Sequence, residues 1–442
     1  MNASTTLDVR AFINGRSMSA NQWVLAVLCF AIVAIDGMDV AIMGFIAPSI
    51  LAEWNVSKPA FGFVMGAAPI GLAIGALAAG SSSDWFGRRR VLLVSVACFG
   101  ICTVFTAYAT NPEQMAFLRF LTGLGLGAAM PNTSTLLTEY VPERSRSFLV
   151  ATMFTGFNLG SALIGFVAAY LIPNYGWKAV LVFGGVLPLI MLPLLYFFLP
   201  ESASFMAVKR FRPERIARVL GRVCGENLGR YNEFVCRENA PQGKQPLAVL
   251  FASGYAVRTF SLWITYFMGL LIIYLATSWL PTMMKEAGMP IERAAQVTAM
   301  FQLAGTVGAI LVGLAMDRSR PNRVIALAYL AGGVSLVLLG ISGVTSAWIA
   351  LLVGFVGFFL SGAQTGLNAY APSCYPTMAR ATGVSWMLGV GRLGSILGSS
   401  IGGVLMGLGW GFENIFMALA VPAAVAAIAI LINRPATAKT GG

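Results

Sequence analysis

Continuous apolar runs dominate this chain. About twelve of them are each close to the roughly 20 residues that a helix needs to cross a bilayer core. They lie at 22–50, 61–83, 91–109, 114–138, 147–172 and 178–199, then at 257–284, 292–316, 322–342, 347–372, 381–408 and 412–433. The runs lack the alternation of a barrel strand, and a helix satisfies its own backbone hydrogen bonds in lipid. The expected fold is therefore an all-α membrane protein with twelve transmembrane helices in two six-helix, pseudo-symmetric halves. Composition agrees: of 442 residues, 57% are hydrophobic and 10% charged, against about 25% charged in a soluble domain.

The charges that remain are unevenly placed. Of the 29 Lys and Arg residues, 23 fall in loops on the side that holds both termini, four fall on the other side, and Arg119 and Arg392 lie inside spans. Leaving out the long central loop keeps 14 against four, and basic loops stay cytoplasmic. The net charge of +12 thus reads as topology and contact with anionic membrane lipid, with no nucleic-acid partner expected. The division predicted is a cytoplasmic N-terminal segment (1–21), a six-helix bundle (22–199), a cytoplasmic linker (200–256), a second bundle (257–433) and a cytoplasmic tail (434–442). In the linker, Arg and Glu at helical spacing around Arg212–Arg222 fit either amphipathic surface helices or a solvated connector. Residues 1–21 are polar and the first apolar run is too long for a signal core, so no cleaved leader is expected.

The halves repeat each other. Gly80-x-x-x-Asp84 recurs as Gly313-x-x-x-Asp317, Pro142 with Arg146 as Pro376 with Arg380, Gly160-Ser161 as Gly394-Ser395, and Gly123 as Gly357, all at offsets of 233 or 234. A duplicated six-helix unit is a transporter plan that places its substrate at mid-membrane between the halves. Glycines at small-xxx-small spacing (Gly71, Gly75 and Gly80; Gly123 and Gly127; Gly394, Gly398 and Gly402) suit close helix packing, whether sliding or static. The chain contains no histidine, which excludes His-ligated metals, Ser-His-Asp catalysis and His proton relays. With no nucleophile–base set and no Walker A loop, neither an enzyme nor an ATP-driven pump is expected, and no cofactor or metal is implied.

Particular stretches carry a resemblance. GSSSDWFGRRR (80–90) and RFLTGLGLG (119–127) resemble the loop between the second and third helices and the fourth-helix motif of the major facilitator superfamily. Asp36-Gly37-Met38-Asp39 followed by GFIAPSI, AMPNTSTLLTEYVPER (129–144) and YPTMARATGVSWMLGVGRLG (375–394) are similar to its aromatic acid:proton symporter family. The likeness runs over nearly the whole chain and implies the major facilitator fold. Trp85 departs from it, standing where the superfamily usually has a basic residue.

Asp36 and Asp39 sit near the middle of the first span, where one carboxylate costs about 2.5–3.5 kcal/mol on insertion scales. Two so close repel if both are charged, so one is expected to hold a proton, the requirement for a movable proton site; a fixed pair at a helix break is the alternative. The resemblance implies that these acids are needed for transport. Arg119 and Arg392 are the basic residues deep in spans, and a guanidinium fork suits a carboxylate. Asp36 and Asp39 are expected to carry the proton and Arg119 to link it to substrate; alternatively Arg119 pairs with Asp36 or Asp39 and modulates its proton affinity, or either arginine sits in a fixed internal pair. Glu139, at the end of the fourth span, is a candidate for the proton-coupling set or the cytoplasmic gate. Asn158, Gln302, Gln364 and Asn368 are amides inside spans, and with Trp263, Tyr266 and Trp386 they could enclose an aromatic ring and its hydroxyl. Asp84, Arg88, Arg89, Arg146, Asp317, Arg318 and Arg380 are the candidate gating residues, with each Asp placed to meet the positive end of a helix in the other half.

The expected function is a proton-coupled importer of aromatic carboxylates such as 4-hydroxybenzoate, protocatechuate, benzoate or gentisate. It is expected to work by alternating access, as a monomer in a bacterial inner membrane. The alternatives are a proton-coupled carrier of another small organic anion or a proton/drug antiporter. For the latter, the proline-glycine signature common in its fifth helix is missing from 156–165, GFNLGSALIG.

Overall fold

The computed structural model describes residues 6–229, 231, 233–235, 250–252, 255–375 and 377–433. The tail 434–442, much of the central linker and Pro376 of the repeated motif lie outside the described residues. A short strand β1 (Thr6–Asp8) and helix α1 (Val9–Asn14) precede six long helices: α2 (Ala20–Trp54), α3 (Lys58–Phe86), α4 (Arg88–Thr106), α5 (Pro112–Tyr140), α6 (Glu143–Tyr175) and α7 (Trp177–Phe198). The linker holds α8 (Ala203–Val208), α9 (Pro213–Cys224) and β2 (Glu233–Val235). Then follow α10 (Ala256–Glu286), α11 (Ile291–Arg318), α12 (Pro321–Ser342), α13 (Ile349–Tyr370), α14 (Thr377–Gly407), and α15 (Phe412–Ala418) with α16 (Ala420–Ile432) as one last span.

Among the described residues, eleven helices are long and apolar enough to cross a membrane. The remaining expected span, 114–138, lies within α5, which has 29 residues but is more polar because it carries Arg119, Asn132, Thr133 and Glu139. All four are buried, so the polarity faces inward. Large side chains such as Leu77, Phe105, Ile190, Leu327 and Val421 stand exposed around the outside, an apolar belt that only lipid can cover.

Local chemistry sets the helix ends. Ser19 caps α2 in a reciprocal box with Gln22, and Asn111 with Pro112 opens α5, which satisfies amide groups that have no partner inside the helix. A single residue, Gly87, turns α3 into α4 at φ +91°, backbone that favours glycine because it lacks a Cβ.

Glycine also sets how close the helices come. A Cβ on Gly160 would overlap the backbone of Ala34, and one on Gly394 that of Phe267. A Cβ on Gly123 would overlap the backbone of Ala68, and one on Gly357 that of Phe301. Each pair is the other displaced by 233 or 234 positions, so α2 crosses α6 as α10 crosses α14, and α3 crosses α5 as α11 crosses α13. The repeat read in the sequence is therefore a repeat of backbone contacts. We expect Gly160→Val to force α2 and α6 apart and to lower the melting temperature of the purified protein, since overpacking costs about 1–3 kcal/mol. Gly354→Ala adds a methyl at an ordinary 3.6 Å from Ala304 Cβ and should melt like the parent. Equal melting of both variants would remove the crossing contacts as a determinant of stability.

The linker packs under the first half. Helix α9 buries Ile216, Ala217, Leu220 and Val223 and exposes Arg215, Arg218 and Arg222, the helical alternative of the two readings. Ser19 Oγ donates to Val223 O at 2.5 Å and Asn21 to Arg222 O at 2.6 Å, while β1 pairs parallel with β2.

Candidate functional site

The two halves meet mainly away from this linker end. Gly44 on α2 lies against the backbone of Thr277 and Ser278 on α10. Gly62 on α3 lies against Ser400 on α14, and Gly165 on α6 against Ala299 on α11. Lys58 and Glu286 join the halves at 2.7 Å. At the linker end, Gly80 and Gly313 of the repeated motif have nothing within 4 Å of where a Cβ would stand. The contacts between the halves described above all lie at the end opposite the linker.

In the middle of α2, Gly37 rests on the backbone of Phe157, and Ser161 Oγ donates to Gly37 O at 2.7 Å. This contact sets the rotation of α2 and gives its two acids different surroundings. Asp39 turns into the first half. Arg119 grips it with Nη2 to Oδ2 at 2.8 Å and Nη1 to Oδ1 at 3.2 Å, and Thr103 Oγ1 donates to Oδ1 at 2.6 Å. Both side chains of the pair are 1% exposed. Asp36 is also buried, but no described residue hydrogen-bonds its Oδ1. Arg392 on α14 of the other half stands close enough to act on it as the main opposite charge. Tyr274, also buried, lies near Arg392.

Of the residues singled out in the sequence, the structure brings Asp39 and Arg119 together, and Asp36 toward Arg392. The Tyr266 ring lies against Gly391, the neighbour of Arg392. Trp263 and Trp386 stack on each other with centroids 5.9 Å apart, beside Phe251 and Phe260. Asn158 is half-buried on α6 next to Phe157, and Gln302 is buried on α11; neither is shown touching Asp36 or Arg392. Thr103 and Tyr329 carry polar contacts that the sequence reading passed over. Each was visible only as a hydroxyl in an apolar run.

The gating candidates sit differently from expectation. Among the described residues Asp84 is not shown meeting the helix that begins near Arg380; it is exposed and pairs with Arg88 of its own loop at 2.9 Å. Arg88 lies 3.9 Å from Glu139, the Arg89 amide donates to Glu201 at 3.1 Å, and the Arg89 guanidinium donates to Tyr196 O, all within the first half and the start of the linker. Asp317, Arg318 and Arg380 are exposed and make no ion pair among the described residues. Arg146 is half-buried and Trp85 is exposed.

The arrangement has a simple chemical consequence. A buried carboxyl with an unpartnered oxygen can be compensated by a nearby cation or by a proton. Anything that occupies Arg392 favours the proton.

A family model described as Major Facilitator Superfamily matches residues 29–391 and 263–441. The chain is 52% identical over 427 residues to the gallate transporter of Pseudomonas putida, which covers 97% of this chain and 95% of that protein. It is 48% identical over 428 residues to the 4-hydroxybenzoate transporter PcaK of Pseudomonas aeruginosa, covering 97% and 96%. Among solved structures, the inward-open xylose transporter XylE from E. coli matches with a TM-score of 0.76 at 17% identity, over 95% of this chain and 98% of that one. At that identity the likeness is one of fold.

Proposed function

We propose that this chain, which belongs to the major facilitator superfamily of membrane transporters, imports aromatic carboxylates together with protons across a bacterial inner membrane. The linker end faces the cytoplasm, where the basic loops belong. The aromatic carboxylate class is supported by the relatives named gallate and 4-hydroxybenzoate transporters.

The observation that carries the coupling is Asp36, with its unpartnered oxygen, opposite Arg392 across the join of the halves. A substrate carboxylate binds the Arg392 guanidinium, supported by Tyr274. Asp36 then loses its countercharge and is stabilised by taking a proton, so anion and proton are carried together. Release of either on the cytoplasmic side favours release of the other. Asp39 and Arg119 hold the first half rigid around this site and tie Asp36 to the bundle. Asp84 and Asp317 serve as gate acids, meeting the opposite half when the linker end closes. The electrical side agrees: moving an anion into a negative-inside cell costs about 2.3 kcal/mol per 100 mV, and one accompanying proton cancels it.

The test is uptake of radiolabelled 4-hydroxybenzoate by the protein reconstituted in vesicles. An acidic exterior should drive accumulation that collapses on adding a protonophore. Accumulation that ignores the protonophore would overturn proton coupling; absence of saturable uptake of any aromatic acid would overturn the substrate class.

A further inference from the structure

The second half contains a polar cluster that the coupling scheme does not use. Tyr329 on α12, fully buried, donates from its hydroxyl to Gln364 Oε1 at 2.7 Å. That bond commits the carbonyl side of the amide and leaves its NH2 as the free side. Gln364 is 7% exposed, and its Nε2 is buried with no hydrogen-bond partner among the described residues. Room for the pair comes from α10: a Cβ on Gly269 would overlap both Gln364 Oε1 and the Tyr329 hydroxyl. Tyr266, one turn before Gly269 on α10, has its ring against Gly391, the neighbour of Arg392, and Asn368, one turn after Gln364 on α13, is exposed. The cluster therefore begins deep in the bundle and ends at an exposed amide.

We propose that Gln364, oriented by Tyr329 and flanked by Tyr266 and Asn368, is a subsite that reads hydroxyl groups on the aromatic ring of the substrate. This rests on the reading of the substrate as an aromatic carboxylate held at Arg392. The physical reason is the unpaired donor. A phenolic oxygen accepts from Nε2, while a bare ring edge leaves the buried NH2 unsatisfied, and a site built around a buried donor discriminates against ligands that cannot pair with it. The carboxylate goes to Arg392 because that group is charged, so the neutral amide is left for a neutral oxygen.

Competition of labelled uptake by benzoate, 4-hydroxybenzoate and 3,4,5-trihydroxybenzoate tests this in the reconstituted protein. The parent should prefer the hydroxylated acids over benzoate. Gln364→Leu should weaken the hydroxylated acids by about tenfold and leave benzoate nearly as before, erasing the preference. Tyr329→Phe keeps the shape of the site while releasing the amide, and should reduce the same preference; it answers the question if the leucine variant does not fold. A parent that takes aromatic acids with no preference for hydroxyls, or variants that keep the parental ratio, would overturn this subsite while leaving aromatic transport standing. A parent that takes no aromatic acid at all would overturn both.

Discussion

Vesicles carrying Asp36→Asn should fail to concentrate 4-hydroxybenzoate under an imposed pH gradient, yet should still exchange external for internal substrate. One coupled proton supports about tenfold accumulation for each pH unit of gradient, since about 1.4 kcal/mol is tenfold in an equilibrium. A carboxamide has nearly the size of the carboxyl it replaces and cannot carry a proton, so that factor should disappear entirely. Exchange needs binding and reorientation only, and Arg392 with Tyr274 is untouched. The variant should also fold well, because Asp36 Oδ1 has no hydrogen bond to lose among the described residues. If Asp36→Asn concentrates substrate as the parent does, the proton travels elsewhere and the scheme fails at its centre.

The second large effect is expected at Arg119, and it is one of stability. Arg119→Leu leaves the Asp39 carboxylate 1% exposed, with Thr103 as its remaining side-chain donor among the described residues. Removing one partner of a buried ion pair costs about 3–5 kcal/mol, because the other charge is stranded. Purified Arg119→Leu should therefore melt far below the parent and give little protein. Arg119→Leu with Asp39→Leu strands no charge and should recover most of the loss, since a buried pair can be replaced by apolar groups at little cost. Arg392→Leu, in contrast, should melt near the parent but lose substrate binding. Measured side by side, these variants separate a pair that holds the bundle from a cation that holds the ligand. A single Arg119→Leu that melts normally while losing binding would move Arg119 into the substrate site.

Much of the fold was legible without coordinates. Apolar runs of sufficient length specify spans, and the recurrence of Gly123 as Gly357 and of Gly160 as Gly394 marked the duplicated unit. Both signals survive in one dimension because membrane thickness and close helix crossing act on local sequence. The α5 span shows the limit of hydropathy: Arg119, Asn132 and Glu139 lower its apolarity, yet they are buried inside. The pairing of the site residues was less legible. Asp36 and Asp39 lie three positions apart on one helix and look alike in sequence, and Arg119 was open to either of them. The surroundings of Asp84 and Asp317 were illegible for another reason, since they depend on how the two halves sit relative to each other at the linker end.

The linear chain settles that it crosses the bilayer many times, that it is duplicated, and that acids and arginines are buried there at an energetic penalty. Those properties follow from lipid, which excludes polar groups wherever the chain passes through it. The folded molecule decides that Asp39 belongs to Arg119 while Asp36 faces Arg392. That outcome depends on the rotation of α2, set by Gly37 against Phe157 and Gly160 against Ala34, contacts made by residues more than a hundred positions apart in the chain.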